Sequence, residues 1–87
     1  MALLIKPDGA VITVQPKNGK TFTAEELHDY VGGYLEAVPT LANRVMFVNE
    51  DGKYLGLPPN QKATDLYGNP LDIVVGSVVV CNRSEVE

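Results

Sequence analysis

Tryptophan is absent from the 87 residues, histidine and cysteine occur once each, and aromatic side chains make up 7%. A lone cysteine, Cys81, has nothing to pair with inside the chain and cannot furnish a Cys-rich zinc site, so a reducing compartment, the cytoplasm, is expected. A lone histidine, His28, excludes a paired-histidine metal centre, and its neighbour Asp29 points elsewhere on a helix. His28 reads as a solvated flank of that helix and Cys81 as a small buried hydrophobe. Seven Lys and Arg stand against eleven Asp and Glu, a net charge of −4. That balance excludes a broad basic face for a nucleic-acid backbone, and the acids are too scattered for a DNA mimic. Missing too is any hydrophobic run of membrane-spanning length. The apolar opening Met1 to Ile5 is stopped by Lys6 and Pro7, far short of a secretory or membrane segment. No G-x-S-x-G elbow, no phosphate loop with Gly-Lys-Ser/Thr and no carboxylate pair at helical metal-binding spacing occurs. These exclusions argue against an enzyme, a membrane protein and a nucleic-acid binder, and no cofactor or metal is expected.

What is present suits one small domain. Hydrophobic residues make up 45% and charged residues 21%, and a chain this short has no room for two cores, so residues 1–87 are read as a single compact domain. A core of that size folds with little margin and gains from contacts with ligand or with other copies, so a homo-oligomer is expected.

Two β-branched and aliphatic runs, Ala2 to Lys6 and Val11 to Gln15, flank Pro7-Asp8-Gly9-Ala10, a hairpin signature. Thr23-Ala-Glu-Glu26 forms a capping box with Phe22 and Leu27 at the staple positions, and Leu27, Tyr30 and Val31 continue at helical spacing. Gly32-Gly33 ends this main helix, placed over about 24–32, and leaves Tyr34 just beyond it. A short strand from Tyr34 to Val38 stops at Pro39. A stronger one, Arg44 to Glu50, sets Val45 and Phe47 on one face and Met46 and Val48 on the other. Asp51-Gly52 reads as a second hairpin turn leading into a strand at Lys53-Tyr54-Leu55. The two prolines of Leu57-Pro-Pro-Asn60 break any central strand, and Asn60 caps a short helical turn near 60–67. Asp72 to Cys81 reads as one long central strand covered on both faces, interrupted at Gly76 by a bulge or a close backbone approach. Residues 82–87 read as a frayed tail. The fold class is therefore α+β, a mixed sheet with one main helix across it, for which a β-grasp-like arrangement is one candidate.

The stretch from Asn49 to Thr64 is dense in groups able to hold a ligand. Its plain reading is a turn, a proline corner and a helix cap. Its functional reading is a rim of donors and acceptors in which Asn49 and Glu50 hold a diol such as a ribose. Lys53 would meet a phosphate there, and Tyr34 or Tyr54 would stack on a base. A polyanionic ligand would call for local basic help from Lys53, Lys62 or Arg44.

Val31-Gly-Gly-Tyr-Leu-Glu36, Asn49-Glu-Asp-Gly-Lys53, Leu57-Pro-Pro-Asn60 with Ala63-Thr64, and Ile73-Val-Val-Gly76 together resemble a family of small uncharacterised domains of bacteriophages and bacterial mobile elements. The resemblance runs from about Leu3 to Val80. It implies Gly32, Gly33, Glu36, Asn49, Glu50, Asn60, Ala63, Thr64 and Gly76 as site residues, and carries no reaction with it. By analogy with other small phage proteins, it suggests an anti-defence sponge that sequesters a nucleotide-derived signal without turnover in the host cell cytoplasm. The competing expectation is a protein-interaction module, or phage inhibitor of a host protein, docking through an exposed sheet edge. A shared site further requires the Gly32-Gly33 turn to lie near the Asn49 to Thr64 stretch.

Overall fold

Valine, isoleucine and threonine crowd the segments that become strands, and the turn residues between them set where each ladder ends. The computed structural model describes residues 2–87. Strands β1 (Ala2–Ile5) and β2 (Val11–Val14) form the first hairpin, and helix α1 (Ala24–Val31) follows. Next come β3 (Leu35–Pro39), β4 (Val45–Asn49), the short helix α2 (Gln61–Tyr67) and β5 (Val78–Cys81), with a 3-10 turn at Arg83–Glu85. At the first hairpin Gly9 takes φ +94°, its N–H donates to the Lys6 carbonyl at 2.9 Å, and the Asp8 carboxylate accepts from the Ala10 N–H at 2.8 Å.

The five strands lie in the order β2-β1-β5-β4-β3 and all four ladders are antiparallel. The fold is α+β with α1 packed across the sheet, but the sheet is not mixed. Phe47 pairs with Val79 and Val45 with Cys81, so the chain leaves β4 and enters β5 at the same end of the sheet. The stretch containing α2 is thus no crossover, and the parallel central pair that a β-grasp-like arrangement needs does not form.

Alternation along the strands divides the core into two layers. On one face Phe22 and Leu27 pack with Leu4, Val45, Val79 and Cys81; on the other Ala63, with Leu66 and Tyr67, covers Ile5, Met46, Val48, Val78 and Val80. The helices therefore lie on opposite faces, and β5, buried along its whole length, is the central strand covered on both sides. Fully burying a valine of this kind stabilises by roughly 1.5–3 kcal/mol.

Three expectations are corrected. Lys53 to Leu55 is not a strand: Leu55 N–H donates to the Asp51 carbonyl at 2.8 Å and Leu57 N–H to the Gly52 carbonyl at 3.0 Å. Both flanks of β4 are already taken, by β3 and β5, so the segment coils on itself. The long strand from Asp72 shrinks to Val78–Cys81, because Gly76 at φ +77° turns the chain. Residues 82–87 are not frayed. Phe22, fully buried, donates its N–H to the Glu85 carbonyl at 2.7 Å and accepts from the Glu87 N–H at 3.0 Å, which ties the tail to the core.

Candidate functional site

On the α2 face of the sheet, a cleft of about 130 Å³ opens between the β3–β4 pair and the loops that precede and follow α2. Its floor is apolar, made by Val38, Val48, Val74, Val75 and Tyr67, and its polar lining comes from Glu36, Asn49, Glu50, Lys53 and Asp72. The placement follows from strand geometry. Glu36 is the register partner of Val48, and Glu50, two residues on, falls on the same side. Both carboxylates are exposed, and neither has a hydrogen-bond or ion-pair partner among the described residues. Lys53 and Asp72 close the rim with an ion pair that joins the two loops. The Lys53 hydrogen bond, helped by the Ile73 N–H at 2.8 Å, holds the Asp72 carboxyl below its usual range.

Behind this rim the Gly32-Gly33 turn meets Asn49, as a shared site requires. Gly32 ends α1 in the left-handed conformation, φ +79°. A Cβ on Gly33 would lie 2.7 Å from the Asn49 side-chain nitrogen, so glycine is what admits Asn49 there. Asn49 is 6% exposed; its Nδ2 donates to the Val31 carbonyl at 3.3 Å and its Oδ1 accepts from the Asp51 N–H at 2.9 Å. It orients the turn that carries Glu50 and offers little to a ligand. Tyr34 is 68% exposed with its ring edge-on to His28 at 5.4 Å, outside the cleft lining.

Asn60, Ala63, Thr64 and Gly76 fall inside the fold instead of on the rim. Asn60 is fully buried; its Oδ1 caps α2 through the Ala63 N–H at 3.1 Å, and its Nδ2 donates to the carbonyls of Ile5 at 3.0 Å and Gly76 at 2.8 Å. The Thr64 hydroxyl donates to the Asn60 carbonyl at 2.8 Å and accepts from the Val74 N–H at 2.9 Å. Ala63 is fully buried, and a Cβ on Gly76 would meet Leu57 at 2.8 Å. These groups spend their bonding capacity clamping the 72–76 segment to α2, which builds one wall of the cleft. Of the eleven residues expected at a site, the structure gathers Glu36, Asn49, Glu50 and Lys53 around one opening.

Sequence reasoning missed Asp72, Tyr67 and the valine floor. Asp72 stands nineteen residues from Lys53, with no spacing rule to link them; its only signal is a sign of charge opposite to that of Lys53. Among the described residues no three His, Cys, Asp or Glu side chains converge as metal ligands do, and no helix is long and apolar enough to cross a membrane.

A family model matches residues 1–87. The chain belongs to the family Domain of unknown function (DUF3846). No curated protein and no solved structure matches it. The match shows an uncharacterised family and nothing finer about motifs or origin, and what this DUF3846 domain does has to be argued from its own cleft.

Proposed function

We propose that this domain binds a nucleotide-derived small molecule without turning it over, holding the ribose in the cleft on the α2 face. The observation that carries the reading is the pair of partner-free carboxylates, Glu36 and Glu50, standing over an apolar floor. A diol presents O–H donors, and an ionised carboxylate is the strongest acceptor a side chain offers. Lys53, exchanging Asp72 for a phosphate, supplies a cation at the rim. The volume of about 130 Å³ falls below the roughly 300–1,000 Å³ of pockets that enclose drug-sized ligands. It suits the sugar alone, with the base outside; Tyr54, next in sequence to the rim residue Lys53 and 91% exposed, is the side chain proposed to stack on it. Three carboxylates beside one paired lysine disfavour a long polyphosphate. The lone cysteine and the lone histidine stand away from this cleft, Cys81 in the α1-side core and His28 on α1 beside Tyr34, which leaves the carboxylates as its acid-base groups. Capture without turnover is what an anti-defence sponge of phage origin does with a host signal, and the reading extends to that role.

Thermal denaturation against cyclic oligonucleotides, ADP-ribose derivatives, NAD and mononucleotides tests it. One compound at a hundredfold its Kd adds about 2.7 kcal/mol, a rise of roughly 10 °C or more for a domain this small. Glu36→Ala or Glu50→Ala removes that rise while leaving the unliganded midpoint in place. A panel without a response, or a response that survives both substitutions, contradicts the proposal.

A second reading, a protein-interaction module, is favoured by a different observation. Tyr54, Leu55, Leu71 and Ile73 are 91%, 58%, 93% and 55% exposed on the two loops that the Lys53–Asp72 pair joins. Apolar side chains exposed together mark partner surfaces. A silent nucleotide panel, with Leu71→Ser abolishing binding of a host protein at an unchanged melting temperature, is the result that favours it.

A further inference from the structure

The two edges of the sheet are built differently. At one edge β3 carries Glu36 within it and Pro39 at its end, a charge and a missing N–H, the two devices that discourage another strand from adding. At the other edge β2 reads Val11-Ile12-Thr13-Val14, with no charge, proline or glycine. Its one neighbouring strand is β1. Val11 and Ile12 stay 45% and 43% exposed, although each is a residue that gains from a cross-strand neighbour. The Lys6 N–H donates to the Ala10 carbonyl at 2.9 Å and closes the hairpin. That bond turns Ala10 toward β1, so the N–H and C=O of Val11, next along the strand, point away from the sheet.

We infer that β2 is the contact between two copies of this chain, which pair their β2 strands antiparallel about a two-fold axis and join two five-stranded sheets into one. Three features select a second copy as the occupant. Antiparallel pairing of a strand with its own copy is self-complementary, so one exposed edge suffices for both partners. The assembly closes at two, because the only other edge is the one blunted by Glu36 and Pro39. The paired row is neutral, so two chains that each carry a net charge of −4 meet along a line free of like charges. In the dimer Val11 and Ile12 gain neighbours on their outer side, beyond Ile5 and Leu4, which they already face on β1. The cleft on the α2 face is untouched by this contact, so the dimer stands or falls separately from ligand binding.

Sedimentation equilibrium of the full chain from low micromolar to near-millimolar concentration tests the pairing. The mass is expected to rise from that of one chain to that of two and to level there. Val11→Lys sets like charges across the axis, and Val11→Pro deletes an outward N–H without taking a bond from the β1 ladder. Each is expected to weaken association at least tenfold with the circular dichroism spectrum unchanged. Should either variant misfold, hydrogen exchange of the wild-type chain decides: the Val11 amide gains protection with concentration if the edge pairs. A wild-type chain that stays monomeric throughout, a dimer that survives both folded variants, or a Val11 amide indifferent to concentration overturns the inference.

Discussion

The carboxamide of Asn60 makes three hydrogen bonds in a fully buried position, one capping α2 and two satisfying the carbonyls of Ile5 and Gly76. Replacing it with alanine removes a cap worth about 1 kcal/mol and strands buried acceptors at about 1–3 kcal/mol each. Asn60→Ala is therefore expected to destabilise the domain by at least about 3 kcal/mol, measured by urea or thermal denaturation, whereas Gln61→Ala beside it changes little. Its role as a helix cap was legible from the sequence. Its turning inward was not, since an asparagine at a proline corner looks the same whether it faces solvent or core. Cys81 is a second case at this scale. It is fully buried on the α1 side, and burial pushes its thiol up to about 11 from 9.0. A thiol held neutral reacts slowly, so a thiol-specific reagent at pH 8 should label the folded protein hardly at all and the urea-unfolded chain fully. Rapid labelling of the folded chain would place Cys81 elsewhere.

Among the elements, α1 shows the closest agreement between sequence and structure. Thr23 and Glu26 form both halves of the capping box, and Phe22 and Leu27, the staple pair, are both fully or nearly fully buried. The Glu26 carboxylate does more than cap, accepting the Lys17 N–H at 2.9 Å, which ties the preceding loop to the helix. That bond is the largest cause lowering the Glu26 carboxyl from 4.5, followed by those from Thr23. A carboxyl lowered in the folded state contributes stability that is present above its unfolded value and lost as pH falls through the folded one. Asp72 and Glu85 shift in the same direction. Unfolding midpoints should thus hold steady from neutral pH to about 5 and fall below the ordinary carboxylate range. Glu26→Gln, which keeps a neutral cap, should flatten that fall. The Gly33 turn supplies another element-scale test. Gly33→Ala puts a methyl against Asn49 and is expected to cost about 1–3 kcal/mol by overpacking, with a smaller cost when Asn49→Ala has first cleared the space. The elements that were misread share one cause. Lys53 to Leu55 and Ile73 to Val75 have the composition of strands, but a strand needs an open neighbour, and sheet order is set by pairings distant in sequence.

For the molecule as a whole, local pattern was enough to give the α+β class, the two-sided burial of the last strand and the opposite faces of Val45 and Met46. It was not enough to orient the last strand, because direction depends on the end at which the chain re-enters the sheet. The cleft divides the same way. Glu36, Asn49, Glu50 and Lys53 stood out as ligand chemistry, while Asp72, Val74 and Val75 come from the far side of α2 and join them, and Val38 and Val48, only in the folded chain. That convergence leaves two free carboxylates over an apolar floor beside a lysine already engaged. The decisive measurement is the melting temperature of the domain, wild type and Glu50→Ala, across a panel of ribose-containing nucleotides. A rise of roughly 10 °C with one compound that is recovered unchanged, and its loss in Glu50→Ala, is the expected result; an unmoved wild-type midpoint across the panel, or conversion of the compound, contradicts capture of a nucleotide in this cleft.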